Sequence, residues 1–265
     1  MREVGMNQLA DKRVIVVGAS RGLGRGVAEA FLAEGASVLA VARDPNPLTE
    51  LAAHETRLQI EAADGSDPAV AGTLLRQYSP DIVALVAGAA PSLRPLQQHT
   101  WESFSKNWNT DVQMTFHWLR EALLLPLRPG SRVIVMSSGA AIMGSPLSGG
   151  YAGAKATQRF MADYATQEAQ RDGLQITVSA VLPKLTPLTA LGKAASSAYA
   201  ARMGISEDAY EGQLGKPVTP EIAGRAFVSI ATGQETGAAY MLTGDGLQPL
   251  SDPAQAQRQP SAAAR

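Results

Sequence analysis

Short apolar runs alternate with longer amphipathic stretches along this chain of 265 residues. Arg13-Val14-Ile15-Val16-Val17 is β-branched and stops at Gly18, which reads as a strand buried on both faces. Residues 22–34 then place Leu23, Val27, Ala30 and Phe31 at helical spacing, and Gly35 supplies the stop. Residues 37–42 and, more weakly, 57–60 predict two further strands. A helix over 67–78 opens at Asp67-Pro68, a cap residue followed by a residue suited to the first turn. Residues 81–87 predict a fourth strand. Residues 99–125 predict one long helix, with a stripe at Phe104, Trp108, Val112, Thr115, Leu119 and Leu123. Strands over 132–136, 176–182 and 238–242 bring the number to seven, separated by helices over 150–171 and 220–232. Residues 184–217, rich in Ala, Gly, Pro and Thr, fit no single period. Residues 1–11 are expected as a loose N-terminal arm and 251–265 as a flexible tail.

Strands that alternate with helices are βαβ units. Right-handed crossovers then require a parallel sheet covered on both faces, doubly wound, and no break in composition divides residues 12–250. In such sheets ligands sit outside the carboxyl ends of the strands, so those loops are where chemistry is sought. The first is Gly18-Ala19-Ser20-Arg21-Gly22-Leu23-Gly24. Its glycines permit a tight turn and close approach of backbone N–H groups to a phosphate, and the helix behind it presents its positive end. The spacing is GxxxGxG rather than the commoner GxGxxG. At the end of the second strand an NAD site usually carries an acidic residue for the ribose 2′-hydroxyl. This chain has Ala42-Arg43 there, and Arg21 lies in the glycine loop. Two guanidinium groups suit a 2′-phosphate, so NADP(H) is the expected cofactor, with Asp44 able to compete for Arg43.

Composition narrows the partners. Net charge is -1, from 23 basic and 24 acidic residues, so no cationic field exists for nucleic acid. The chain has no cysteine, which excludes disulfides and thiolate chemistry. His54, His99 and His117 are too scattered for a metal site. The opening MREVGMNQLADKR lacks the apolar core of a signal peptide and no run suits a bilayer span, so a cytoplasmic location without membrane contact is expected.

Tyr151 and Lys155 lie four residues apart and share a helix face. A free phenol titrates near 10, too high for proton transfer at neutral pH. An ammonium at ~4 Å stabilises phenolate by roughly 4 kcal/mol at an effective dielectric of about 20, enough to bring the phenol into a useful range. Ser138 follows the strand over 132–136, at a carboxyl end, where a hydroxyl can bond a substrate oxygen as charge develops on it.

These features together resemble the short-chain dehydrogenase/reductase family over about residues 12–250. Val17 through Gly24 looks like the family's TGxxxGxG cofactor segment, and Ser138, Tyr151 and Lys155 match its serine, tyrosine and lysine in spacing. The resemblance implies a Rossmann-like seven-stranded parallel sheet in a single domain, assembled as a homo-oligomer, tetramer or dimer. It also implies an oxidoreductase that moves hydride between a nicotinamide and a carbonyl or alcohol carbon. Gly18, Ser20, Arg21, Gly22, Leu23, Gly24, Arg43, Asp64, Ala87, Gly88, Tyr151, Lys155, Pro183 and Thr186 would contact the cofactor, Asp64 through the adenine amino group and Lys155 through the nicotinamide ribose. Tyr151 would move the hydroxyl proton and Ser138 would hold the substrate oxygen. Thr243-Gly244 looks like the family's closing strand signature.

Three departures stand out. The family's NNAG segment reads Leu85-Val86-Ala87-Gly88, and its Pro-Gly reads Pro183-Lys184, where Thr186 or Thr189 remains to reach the cofactor. The family's helical asparagine, a fourth catalytic position, falls on Asp111, with Asn109 two residues away as the alternative. Residues 184–217 are the expected lid over a small to medium-sized, fairly apolar substrate. Competing functions are an NADP-binding sensor or scaffold with little turnover, and a lyase on the same fold.

Overall fold

The computed structural model describes residues 7–235 and 238–250. The first half runs β1 (Arg13–Val17), α1 (Gly22–Ala33), β2 (Ser37–Ala42), α2 (Asn46–His54), β3 (Leu58–Ala62), α3 (Pro68–Tyr78) and β4 (Ile82–Leu85). Then come α4 (Trp101–Ser105), a π-turn over Trp108–Val112, α5 (Gln113–Leu124), β5 (Arg132–Met136), α6 (Ala140–Met143) and α7 (Gly149–Arg171). The chain continues through β6 (Thr177–Pro183), α8 (Ala190–Met203), α9 (Glu207–Gln213), α10 (Pro220–Ala231), β7 (Ala239–Thr243) and β8 (Gly246–Pro249).

The strand order is β3-β2-β1-β4-β5-β6-β7-β8. Seven strands are parallel, as expected, and β8 returns antiparallel on β7. Pleating sends alternate residues to opposite faces, and the register lines them up across the sheet. Leu39, Ile15, Val83, Val133 and Val178 form one lateral row. They pack with Leu74, Trp118, Leu119 and Ala165 from α3, α5 and α7. Ala40, Val16, Ala84 and Ile134 form the next row and face Phe31, Phe227 and Ile230 from α1 and α10. Each fully buried Leu, Ile or Phe contributes about 1.5–3 kcal/mol, so these two layers hold the sheet.

β1 has β2 on one side and β4 on the other. The order reverses there, which opens a crevice outside the carboxyl ends of β1 and β4. The Gly18 N–H donates to Val41 O at 2.8 Å and the Ala87 N–H donates to Val17 O at 2.8 Å, so both strand exits are fixed where the crevice begins.

The structure differs from the periodicity in several places, and α2 and α6 have no counterpart in it. The helix expected over 99–125 is interrupted: the Val112 N–H reaches back five residues to Asn107 O at 3.2 Å, and the π-turn separates α4 from α5. Residues 184–217 contain α8 and α9, each opened by a side-chain cap, Thr189 on the Gly192 N–H and Ser206 on the Ala209 N–H. β8 follows a turn in which Gly246 has φ +115 and the Thr243 hydroxyl accepts from the Asp245 N–H. Within the expected arm, Leu9 is buried and its N–H donates to Glu34 O at 2.9 Å. Residues 1–6 of that arm and the tail over 251–265 lie outside the described residues.

Candidate active site

The glycine loop between β1 and α1 is shaped by close backbone contact. Gly18 has φ +93, and a Cβ there would lie 2.5 Å from Ala87 N. A Cβ on Gly24 would lie 2.1 Å from Gly18 O. No side chain caps α1 at Arg21, and its first turn carries no acidic residue. The first N–H groups of that helix and its positive end therefore face the crevice without a competing anion, which suits a dinucleotide phosphate. Arg21 and Arg43 are both exposed, and neither forms an ion pair among the described residues. Asp44, the expected competitor, instead accepts from the Asn46 N–H at 3.1 Å. Asp64 accepts from the Ser66 N–H and hydroxyl, both on Oδ1. Those two bonds hold its carboxyl below the usual range against a smaller upward push from burial, and the Arg43 charge adds to the lowering.

Residues 87–89 leave β4 beside this loop. The Ala89 N–H donates to Asp111 Oδ1 at 2.8 Å, and Asn107 Nδ2 donates to Ala89 O at 2.7 Å. A Cβ on Gly88 would lie 2.8 Å from Asp111 Oδ2. Asn107 and Asp111 thus hold the backbone of the segment that leaves β4. Sequence reasoning missed Asn107. Its signal was the four-residue spacing to Asp111, which puts both on one face.

Lys155 and Asp111 form a buried ion pair, Nζ to Oδ2 3.1 Å, with side chains 5% and 0% exposed. Lys155 Nζ also donates to Met136 O at 3.3 Å and lies 5.5 Å from the centroid of the Tyr151 ring. Burial alone would lower the Lys155 pKa, but the Asp111 carboxylate, the Tyr151 phenol and the hydrogen bond to Asp111 together raise it above the ordinary lysine value. Asn109, the alternative position, is exposed. Ser138 stands at the tip of β5, where its Oγ accepts from the Ala140 N–H at 3.2 Å. Its neighbour Ser137 donates to the Lys155 carbonyl at 2.7 Å and ties β5 to α7. α7 approaches this closely because it is built from small residues. A Cβ on Gly150 would lie 1.9 Å from Phe104 O.

The lid side is mixed. Pro183 is buried, and its carbonyl accepts from the Gly139 N–H at 2.9 Å. The Thr186 hydroxyl is committed to Val218 O at 2.8 Å and is 5% exposed. Thr189 instead stands opposite the glycine loop, its methyl 3.6 Å from where a Gly22 Cβ would lie. Tyr199 of α8 bonds Ser145 in the loop before α7, and its ring stacks on Tyr210 of α9. No helix among the described residues is long and apolar enough to cross a membrane.

Residues 12–200 match the family model described as short chain dehydrogenase. An uncharacterised oxidoreductase of Escherichia coli K12, YghA, is 30% identical over 204 residues, covering 71% of this chain and 68% of its own. A hydroxynaphthalene reductase-like protein, Arp2, of Metarhizium majus is 30% identical over 187 residues, covering 66% of this chain and 68% of its own. The crystal structure of a short chain dehydrogenase from Mycobacterium avium superposes with a TM-score of 0.72 at 21% identity, covering 94% of this chain and 90% of that one. The last shows the fold, and the family implies a nicotinamide cofactor and a small-molecule substrate. With a doubly wound sheet, a phosphate-ready glycine loop and the Tyr151–Lys155 pair at its carboxyl edge, the chain belongs to the short-chain dehydrogenase family of oxidoreductases.

Proposed function

We propose that this chain is an NADP(H)-dependent oxidoreductase acting on a carbonyl or alcohol carbon of a small to medium-sized, fairly apolar substrate. The observation that carries the reading is the placement of the Lys155 ammonium 5.5 Å from the Tyr151 ring, with Ser138 at the tip of the adjoining strand. A bound nicotinamide supplies or accepts the hydride. Ser138 holds the substrate oxygen by a hydrogen bond, and Tyr151 gives that oxygen its proton or takes it away. Lys155 would hold the nicotinamide ribose, with its ammonium beside the Tyr151 ring. The glycine loop and Ala87-Gly88 cradle the dinucleotide. The preference for NADP(H) rests on Arg21 and Arg43, whose guanidinium groups have no carboxylate partner among the described residues. Leu188, Leu191 and Met203 in the 184–217 segment support an apolar substrate. Phe116, Phe160 and Tyr164 are exposed on α5 and α7, which supports a homo-oligomer.

The test is loss of NADPH absorbance with a panel of ketones and aldehydes, run on the parent and on Tyr151→Phe. Turnover in the parent should fall by about 10²–10⁴-fold in the variant, the usual contribution of a positioned acid or base. Tight NADPH binding with no turnover on any carbonyl would point to a sensor or scaffold instead.

A further inference from the structure

The family pattern has an amide where this chain has a carboxylate, and the structure puts that carboxylate directly on Lys155. We propose that Asp111 is a positioning residue that cancels the charge of Lys155, keeps the Tyr151 hydroxyl protonated to higher pH, and so biases the site toward carbonyl reduction. This rests on the oxidoreductase reading above and adds a working direction to it.

The geometry leaves Asp111 little freedom. Its Oδ1 accepts from the Ala89 N–H and from the Thr110 hydroxyl, both at 2.8 Å, and lies 3.4 Å from Asn107 Nδ2. Its backbone carbonyl accepts from the buried Gln158 Nε2 at 3.1 Å. Among the described residues Oδ2 has no other partner, and it faces the Lys155 ammonium. The carboxylate therefore cannot swing away to solvent, and it stays on an ammonium that lies 5.5 Å from the Tyr151 ring centroid. A lone ammonium would stabilise phenolate strongly, whereas a paired one does so much less.

The surrounding elements add little that competes. β5 offers the Met136 carbonyl and uncharged Ser137 and Ser138, and residues 85–90 carry no titratable side chain. α4 and the turn after it carry Glu102 and Lys106, and α5 carries His117, Arg120 and Glu121. On α7, Arg159 follows one turn after Lys155, and the lid contributes Lys184, Lys193, Tyr199 and Glu211. Of all these groups, Asp111 and Tyr151 are the ones that act on the Lys155 charge.

The consequence follows from the proton balance. In reduction the carbonyl carbon receives hydride from the reduced nicotinamide while its oxygen takes the Tyr151 proton. The products are an alcohol, oxidised nicotinamide and a phenolate that solvent reprotonates. Oxidation needs the phenolate first, to remove the alcohol proton. A phenol that stays protonated to higher pH extends the range of reduction and moves oxidation to more alkaline conditions. The overall equilibrium is unchanged, and only the kinetic pH window moves.

The experiment is an ultraviolet phenolate titration of the full-length, cofactor-free protein, with the Tyr151 signal isolated as the component missing in Tyr151→Phe. In Asp111→Asn that signal should appear about 1 pH unit or more below its position in the parent, the usual effect of one neighbouring charge. Asp111→Glu, which retains the charge, should titrate with the parent. The alkaline limit of carbonyl reduction should move with the spectroscopic signal. Circular dichroism checks the fold, and if Asp111→Asn does not fold, Asp111→Ser removes the same charge. A neutral variant that titrates with the parent, or above it, overturns the inference. The titration needs no turnover, so a protein that reduces no carbonyl defeats the proposed function while this measurement remains decisive for Asp111.

Discussion

Arg43 leaves β2 exposed, with Asp44 turned to the Asn46 N–H and Asp64 close enough to feel its charge. A guanidinium in that state keeps its donors for an incoming dianion, and a hydrogen bond to a charged group contributes about 1.5–3 kcal/mol. Arg43→Ala should therefore raise KM for NADPH by about tenfold or more and leave KM for NADH nearly unchanged. Equal effects on both cofactors would remove the 2′-phosphate role. Arg43 draws notice in the sequence through its position relative to a strand end, and its role remains the proposal stated above. Gly18 and Gly24 were legible for the same reason, since the contacts that exclude a Cβ are made within the loop or at the neighbouring strand exit. Asn107 was not. Its partner is the Ala89 carbonyl, 18 residues away, and the pairing exists only after β4 and the π-turn have come together. No local signal shows that the Thr186 hydroxyl donates to the Val218 carbonyl, 32 residues away.

At the scale of elements, α1 and α10 meet through small residues. A Cβ on Gly26 would lie 2.3 Å from Pro220 O, and one on Gly224 would lie 2.6 Å from Gly26 O. Backbone rather than a flexible side chain blocks the added atom, so the helices must separate. Gly26→Ala should cost about 1–3 kcal/mol, as overpacking does, lowering Tm by several degrees in a thermal melt. Gly212 in α9 is the control, because a Cβ there meets nothing within 4 Å. Gly212→Ala should be neutral or stabilise α9 by up to about 1 kcal/mol. Equal losses from the two would refute the packing argument. Most elements were readable because their faces are set by period, and β1, β2 and β5 have the bounds that the apolar runs predicted. The π-turn was not readable. One extra residue per turn shifts the stripe only locally, and Thr115 and Leu119 beyond it remain buried as a continuous helix would require. β8 gave no signal because it is four residues long and ends at Pro249.

Across the whole molecule the candidate site residues gather at one edge of the sheet while the two apolar layers supply the stability. The Lys155–Asp111 pair belongs to both, which makes its effect on folding measurable. Lys155 has a folded pKa above the ordinary lysine value. Its contribution is therefore fully present below about 10.4, the unfolded value, and is lost as pH rises through the higher folded one. Asp111→Asn leaves a buried ammonium without its counter-charge, a change that typically costs about 3–5 kcal/mol. In that variant the carboxylate no longer raises the folded lysine pKa, so the variant loses less stability than the parent as pH rises through about 10.4. The parent loses stability above that point. Lysines and tyrosines other than Lys155 and Tyr151 titrate alike in both proteins and cancel in the difference, and the lower Tyr151 pKa inferred above for the variant narrows the gap in the same direction. Denaturant unfolding of parent and variant between pH 8 and pH 11 should therefore show a gap of about 3 kcal/mol or more at pH 8 that narrows steadily toward pH 11. A gap that stays constant would mean that the variant loses packing or hydrogen bonds rather than a charge partner.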